Sequence, residues 1–467
     1  MLPGALHKIL SKIIRFSLLL ATHVSGSCLV RPVEHAYNAR KMDVHPPQPT
    51  DPYAAFRLPG VLRYILGAVL VQVGMSAQTL AIGWEVYTRT HQPLSLGYVA
   101  GVQAIPMLLL TLPAGLLADR LDRRKIIAGS LLGVAVCSLG LTWVSWTHGP
   151  IAWLYLLLFL DATLLTLQRP ASLSIYPTLL TKETFENAMK WHSSIFQLSS
   201  MVGPALGALI LKWCLPAAYA VNAVFALLFI AVLLTLPLRA VPPTEGAWSL
   251  DHVLAGVRFV WQRNVLLATI SLDLFAVLLG GAVYLLPVYA KDILQVGEVG
   301  LGWLRMAPAV GAFLMAVLLA HLPPIKRAGR TMLLAVAGFG VATIIFGISR
   351  NFWLSITMLF LTGALDNISV VVRHTLVQYL TPDAMRGRVS AVNWIFIGSS
   401  NEIGGFESGL VAQLCRSSVL SVVTGGIGTL LVVGLWSLAF PTLRRFGALT
   451  ASMGEDEAEL VKASPEQ

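Results

Sequence analysis

The stretch "GLLADRLDRRKI" (115–126) places six charged side chains within seven consecutive positions. Apolar runs of about 20 residues flank it on both sides, and runs of this length can cross a lipid bilayer as helices. A short charged loop between two such runs predicts a turn at a membrane surface. The same alternation of apolar runs and short polar loops continues along most of the chain.

The overall composition agrees with this interpretation. Of the 467 residues, 56% are hydrophobic and 12% are charged, and the mean hydropathy is +0.73. A soluble protein of this length needs far more polar surface to cover its core. The net charge of +10 does not indicate nucleic-acid binding, because the basic residues are spread over short loops. We therefore expect a polytopic protein embedded in the lipid bilayer.

The apolar runs predict an all-α membrane protein with twelve transmembrane helices in two six-helix pseudo-repeats. The predicted spans of the first half are 61–86, 95–118, 126–146, 151–172, 190–212 and 216–236. Those of the second half are 265–289, 300–322, 331–348, 352–374, 389–413 and 419–441. The longest loop, 237–264, separates the two sets. Its segment "SLDHVLAGVRFVWQRN" predicts an amphipathic surface helix.

This loop divides the chain into an N-terminal bundle, 51–236, and a C-terminal bundle, 265–445. Residues 1–50 are expected to be a disordered or wrongly assigned extension, with Met42 as the alternative start. A signal peptide is the other interpretation, because basic residues precede the short apolar run "FSLLLA" (16–21). Residues 446–467 are expected to be a disordered tail. Lys and Arg concentrate in alternate loops, beginning with 119–125. Because basic loops stay on the cytoplasmic side, both termini are predicted to be cytoplasmic in a bacterial inner membrane.

An internal repeat supports the division into halves. Asp161 in the fourth span is followed eight residues later by Arg169, and Asp366 in the tenth is followed seven residues later by Arg373. A Gly-x-x-x-Gly motif then follows each arginine by about 30 residues: "GPALG" (203–207) and "GFESG" (405–409). The shared order and spacing predict duplicated bundles.

The charged stretch 115–126 resembles the cytoplasmic signature of the major facilitator superfamily, Gly-x-x-x-Asp-Arg-x-Gly-Arg-Arg/Lys. The matching residues are Gly115, Asp119, Arg120, Arg123 and Arg124, and Asp122 replaces the second glycine. In that family the loop holds the cytoplasmic side closed, so the resemblance implies a gating role. A glycine at a helix end allows close approach of another helix, and an aspartate there can bind arginines. The alternative is that the bases only fix the topology.

Three longer stretches resemble the bacterial exporter branch of this superfamily that includes the enterobactin exporter. They are "FRLPGVLRYILGAVLVQVGMSAQTLAIGWEVY" (56–87), "SLDLFAVLLGGAVYLLPVYA" (271–290) and "TPDAMRGRVSAVN" (381–393). The resemblance covers about residues 52–445. It implies efflux of a siderophore or a drug. The motif "GPALG" resembles an antiporter signature, with plain helix packing as the alternative.

Charged side chains inside predicted spans are expensive, so they are expected to have partners or to face a cavity. Asp366 and Arg373 lie seven positions apart and therefore share one helix face. Arg169 and Arg373 are predicted to pair with the charged cytoplasmic loop and to act in gating, together with Arg388. Direct substrate contact by these arginines is the alternative.

Three carboxylates inside predicted spans are candidates for proton coupling: Asp273, Asp366 and Glu402. A carboxylate in a membrane can bind and release a proton during a transport cycle. For Asp366 the alternative is an ion-paired gate, and for Asp273 a side chain satisfied by a neighbouring helix. Glu402 lies in the polar segment 399–405, which predicts a water-lined helix face.

Polar and aromatic residues in other spans could line the substrate cavity, although core or lipid packing is the alternative for each. The candidates are Gln72, Gln78, Asp161, Tyr284, Asn367 and Trp394.

The predicted function is proton-coupled export of a small amphipathic molecule by alternating access, in a monomer. The alternative with the same fold is a proton-independent facilitator or an importer. No HExxH or GxSxG motif is present and the histidines are not paired at ligand spacing, so we expect no enzyme, no cofactor and no metal. The loops are too short for the large extramembrane module of a receptor or scaffold. The expected partners are the substrate, protons and lipid.

Overall fold

The structure is a computed structural model, and it describes residues 54–58, 60–180, 182–236, 250–323 and 325–447. The predicted extension 1–50, most of the loop before residue 250 and the predicted tail beyond residue 447 lie outside the described residues. The described part is helical and contains no strand.

The first half consists of six long helices. They are α1 (Val61–Thr90), α2 (Pro93–Arg120), α3 (Arg123–Trp146), α4 (Ile151–Leu179), α5 (Lys182–Trp213) and α6 (Leu215–Thr235). Each one corresponds to a predicted span, and α6 ends one residue before the predicted limit at 236. Most extend beyond the predicted span, because a helix can continue past the hydrocarbon where its side chains no longer need to be apolar. Short connections make neighbouring helices antiparallel.

The second half follows a surface helix, α7 (Leu250–Gln262). Its long helices are α8 (Asn264–Leu279), α9 (Gly297–His321), α10 (Ala328–Ile348), α11 (Phe352–Leu380), α12 (Asp383–Leu414) and α13 (Ser418–Ala439), and a short α14 (Pro441–Arg445) ends the described chain. Helix α7 lies in the loop where an amphipathic helix was expected. Its Val257 and Val260 pack against α8 residues Leu266 and Ile270, which anchors α7 on the second half.

The seventh predicted span, 265–289, is not one continuous α-helix. Helix α8 stops at Leu279, and the chain continues through a 3₁₀ turn (Ala282–Leu285) and a π-helical turn (Tyr289–Ile293). The break lies at the glycine pair 280–281, where a Cβ on Gly281 would be 2.6 Å from the carbonyl oxygen of Gly404. The close approach of α12 therefore requires glycine, and glycine in turn weakens the helix.

Eleven of the helical segments in the described residues are long and apolar enough to cross a membrane. Helix α12 is long but more polar, since it carries Asp383, Arg386, Arg388, Glu402 and Glu407. It packs against α2 of the first half as well as α8 of its own half. Contacts with protein therefore replace contacts with lipid for part of its surface.

The bundle has two ends. We call the end with the loop 121–122 the basic end, and the end with the connections 91–92 and 415–417 the far end. At the far end the halves are close-packed through glycine: a Cβ on Gly409 of α12 would lie 2.7 Å from the Cα of Gly97 of α2. A second approach joins Gly302 of α9 to Pro204 of α5, where a Cβ would be 3.2 Å from the proline carbonyl oxygen.

Candidate functional site

A polar cluster lies inside the first half, where α1, α3, α4 and α6 meet. The Gln78 amide donates to Asp161 Oδ2 (3.2 Å), and the Ser138 hydroxyl donates to Gln78 Oε1 (2.8 Å). The Asn222 amide donates to both Gln78 Oε1 and Ser138 Oγ, at 3.0 Å each. We call these four residues the amide cluster.

The amide cluster changes the interpretation of two predicted cavity residues. Gln78 is 4% exposed and Asp161 is 6% exposed. Both side chains are directed to other helices of their own half, so the prediction that they line a substrate cavity is wrong for this conformation. Their polarity inside apolar spans indicated positions away from lipid, but it could not show whether these side chains meet a cavity or a neighbouring helix.

In the second half, Asp273 of α8 forms an ion pair with Arg373 of α11. Both side chains are buried. Asp366 lies beside this pair, since Asp273 and Asp366 line the same cavity of about 10 Å³, which is close to the volume for one water molecule. The sequence-based expectation that Arg373 pairs with the charged loop is therefore wrong. Its partner comes from α8, because α8 and α11 are in contact at this depth.

Glu402 belongs to a second charged cluster, on α12. Its carboxylate accepts a hydrogen bond from the Tyr284 hydroxyl at 2.9 Å. Arg305 of α9 lies near enough to interact electrostatically with both groups, and it donates to the Val283 carbonyl oxygen at 3.2 Å. Sequence reasoning missed Arg305, although a single base inside the predicted span 300–322 is a usable signal.

This charged cluster adjoins the contact between the halves. Gly405, one turn after Glu402, packs against Tyr284 and against Ala100 of α2; a Cβ on it would be 2.7 Å and 2.8 Å from their nearest atoms. A change in the charge of Glu402 would therefore act close to the α2–α12 packing. Glu402, Tyr284 and Arg305 are one site in this conformation.

Arg169 lies over the ring of Trp394, with its guanidinium carbon 5.1 Å from the ring centroid. This cation–π contact joins α4 of the first half to α12 of the second. Trp394 is 54% exposed. The expected pairing of Arg169 with the charged loop is thus replaced by a contact across the two halves, because Trp394 offers a π face.

Two other predicted cavity residues are half-buried. Asn367 has a buried Oδ1 that makes no hydrogen bond. The backbone carbonyl oxygen of Gln72 accepts a hydrogen bond from the Ser76 hydroxyl at 2.9 Å. Neither residue contacts Glu402 or Asp273 through a side-chain hydrogen bond among those of the described residues.

Two arginines of the charged stretch 115–126, Arg123 and Arg124, bind backbone carbonyl oxygens of their own half. Arg123 donates to the Ser174 carbonyl oxygen at 2.9 Å. Arg124 donates to the carbonyl oxygens at the end of α6: Leu233 at 2.6 Å, Leu234 at 2.6 Å and Leu236 at 3.1 Å. A cation at a helix C-terminus is favourable, so this pattern stabilises the first half.

Two other residues of this stretch, Gly115 and Arg120, are not closely packed at the basic end in this conformation. A Cβ on Gly115 would meet no atom within 4 Å, so the expected close approach of a helix to Gly115 is not present. Arg120 is exposed, and the side chain of Asp119 is outside the described residues. Arg388 donates to Met385 Sδ at 3.3 Å, within its own helix.

At the far end, two carboxylates are bound by tyrosines. The Tyr87 hydroxyl of α1 donates to Asp292 in the π-helical turn, which links the two halves. Within the first half, Glu85 forms an ion pair with Arg89 and accepts a hydrogen bond from the Tyr219 hydroxyl at 2.5 Å. These contacts add polar links to the glycine packing of the far end.

A separate cavity of about 320 Å³ lies at the basic end of α11 and α12. It is lined by His374, Thr375, Gln378, Tyr379 and Arg386. Among the described residues, no group of three or more His, Cys, Asp or Glu side chains is arranged to hold a metal ion.

Comparisons with known proteins agree with this architecture. The family model of the Major Facilitator Superfamily matches residues 64–405. The chain is 28% identical to the enterobactin exporter EntS of Escherichia coli O1:K1 over 404 residues, which cover 84% of this chain and 94% of that protein. EntS of Shigella boydii serotype 18 gives the same identity and coverage.

Solved structures with the same fold include a variant of the nucleoside transporter NupG, with a TM-score of 0.66 and 13% identity over 82% of this chain and 99% of that one. A variant of the peptide transporter POT has a TM-score of 0.67 and 12% identity over 83% and 95% of the two chains. The predicted fold class of twelve helices in two repeats is confirmed, as is the prediction of a transporter rather than an enzyme. The chain belongs to the Major Facilitator Superfamily and is a multi-pass membrane transporter of small molecules.

Proposed function

We propose that this protein exports a small amphipathic molecule, a siderophore or a drug, across the bacterial inner membrane in exchange for protons. Similarity to enterobactin exporters over 84% of the chain supports the direction and the substrate class. The Lys and Arg bias of the loops supports a cytoplasmic basic end and cytoplasmic termini. The proposed working unit is a monomer.

The observation that carries the coupling proposal is the position of Glu402. It is held by Tyr284 near Arg305, in the helix that packs against the other half at Gly97 and Ala100. Protonation of Glu402 would remove its attraction to Arg305 and weaken the cluster. Because the cluster adjoins the contact between the halves, a proton there can bias which end of the bundle is closed.

Asp273 and Asp366 are the other proposed coupling residues. They share one small cavity, and Arg373 is bound to Asp273. Two acids beside one base leave one carboxylate without a matching cation, which is the arrangement that favours uptake of a proton. In the conformation open at the far end, we expect the loop residues Gly115 and Arg120 to contact the second half and close the basic end.

The test is transport into everted membrane vesicles that contain the protein, with enterobactin as the probe. We expect accumulation that requires an inside-acid pH gradient and is lost in Glu402→Gln and Asp273→Asn. Glu407→Gln is the matched control on the same helix and should transport as the wild type does. If both coupling variants retain gradient-driven transport, the coupling assignment is wrong.

The same vesicles separate the alternatives. Equal flux with and without the gradient would identify a facilitator, and accumulation only in right-side-out vesicles would identify an importer. If enterobactin is not transported but a lipophilic cationic drug is, the drug-export form of the proposal stands.

A further inference from the structure

The amide cluster contains a buried carboxylate whose partners are all neutral. Asp161 Oδ2 accepts one hydrogen bond, from the Gln78 amide. Asp161 Oδ1 is buried and makes no hydrogen bond. The Cys137 thiol of α3 lies near enough to interact electrostatically with this carboxylate. The Ser138 hydroxyl and the Asn222 amide donate to Gln78, which links them to Asp161.

No arginine, lysine or histidine of the described residues forms an ion pair with Asp161. An ionised carboxylate in a membrane interior is very unfavourable unless a cation or several hydrogen bonds compensate it. A single amide donor does not provide that compensation. A neutral carboxyl group, by contrast, can accept the Gln78 hydrogen bond on one oxygen and carry a proton on the other.

We propose that Asp161 is a proton-binding site of the first half and that it holds a proton in this conformation. The site lies inside the six-helix bundle, away from Glu402 and Asp273, and its ligand is a single proton held on Oδ1. Its contribution to transport rests on the proposed proton-coupled function, to which it adds a coupling carboxylate in the first half; the other proposed coupling residues all lie in the second half.

The location of Asp161 makes proton release sensitive to movement of the bundle. Gln78 lies on α1 and Asp161 on α4, and α4 also carries Arg169, which contacts Trp394 of the other half. A shift of α4 relative to α1 would break the Gln78 hydrogen bond and alter the access of Asp161 to water. The proton is thus coupled to the same helix that makes contact across the halves.

The first experiment detects the proton directly. Infrared difference spectra of purified protein, recorded in H₂O and D₂O at neutral pH, should contain the carbonyl stretch of a protonated carboxyl group that disappears in Asp161→Asn. Asp273→Asn is the control and should leave the band in place, because we expect the ion pair with Arg373 to keep Asp273 deprotonated in this conformation. A band that is unchanged in Asp161→Asn, with the variant folded by its melting curve, would overturn the proposal.

A second experiment needs no variant. Dicyclohexylcarbodiimide adds to protonated carboxyl groups in apolar surroundings, so peptide mapping should locate the adduct on Asp161 and not on Asp273. Labelling should be the same in sodium and choline buffers. Absence of label on Asp161 or protection by sodium would contradict a proton site, the latter by showing a sodium site instead.

Both readouts are independent of substrate and direction. The proposal can therefore fail while vesicle transport by Glu402 and Asp273 variants behaves as expected, and it can hold if enterobactin is not the substrate. In transport, Asp161→Asn is expected to lose gradient-driven accumulation while retaining downhill flux. Wild-type gradient dependence in this variant would overturn the coupling role.

Discussion

In the first half, α1 meets α4 through the amide of Gln78 and the carboxyl group of Asp161, whereas in the second half α8 meets α11 through the ion pair of Asp273 and Arg373. These are the first and fourth helices of each repeat. Both links are buried, but one is made of neutral groups around one acid and the other of two opposite charges. The repeated fold thus keeps the place of a polar link and changes its chemistry.

This difference indicates that the two links respond differently to protonation. A buried ion pair holds two helices together only while both charges are present, because removal of either one leaves the other uncompensated. A neutral amide cluster tolerates the gain of a proton without such a penalty. In this conformation the second half therefore has a charged link that protonation of Asp273 would break, whereas the first half has a link that can hold a proton and stay intact.

The largest expected effect comes from breaking the charged link. Arg373→Met should leave Asp273 buried without a cation and destabilise the protein by about 3–5 kcal/mol. The double variant Asp273→Asn/Arg373→Met should recover most of this loss. Denaturation in detergent micelles measures both. A double variant no more stable than the single one would show that the pair is not the source of the loss.

A smaller effect is expected at the tyrosine link between the halves. Tyr87→Phe removes the hydrogen bond to Asp292, and a bond to a charged group contributes about 1.5–3 kcal/mol. The far end should open more often, which spin labels at Gln92 and Arg416 would report as longer distances. Tyr219→Phe is the control, since its partner Glu85 lies in the same half. Equal opening in both variants would exclude a latch between the halves.

The close packing of glycines at the far end can be tested with a matched pair of glycine-to-alanine substitutions. Gly409→Ala would place a Cβ 2.7 Å from Gly97 Cα, whereas Gly115→Ala meets nothing within 4 Å. Overpacking of this kind costs about 1–3 kcal/mol, so Gly409→Ala should favour an open far end. The same spin-label pair measures the shift. Gly115→Ala should not change the distances in this conformation, and a change there would contradict the open space around Gly115.

The smallest expected effect is at the neutral link. Asp161→Asn replaces a protonated carboxyl group by an amide of equal size, so the change in unfolding free energy should be about 1 kcal/mol or less. Asp273→Asn should be clearly more destabilising, because it leaves Arg373 without its anion. Similar losses for the two substitutions would remove the contrast between the halves.

Several elements of the site were accessible from the sequence, and several were not. Asp273, Asp366 and Glu402 stand out because ionisable residues are rare in apolar spans. The partners of these residues cannot be identified from the sequence. The spacing of Asp366 and Arg373 shows that they share a helix face, but it does not show which helix that face contacts. Arg373 pairs with Asp273 on a different helix, and Gln78 and Asp161 face each other rather than a cavity.

The sequence by itself determined the membrane setting, the number of spans and the division into two repeats. The reason is that an apolar run of about 20 residues matches the thickness of the bilayer core, and the length of such a run is a local property of the sequence. The break after Leu279 and the place of Arg305 beside Glu402 were decided only by the tertiary structure. Such contacts depend on the rotation and closeness of neighbouring helices. The rotation of each helix and its distance from its neighbours are set by packing between distant parts of the chain, so a local sequence pattern does not predict them.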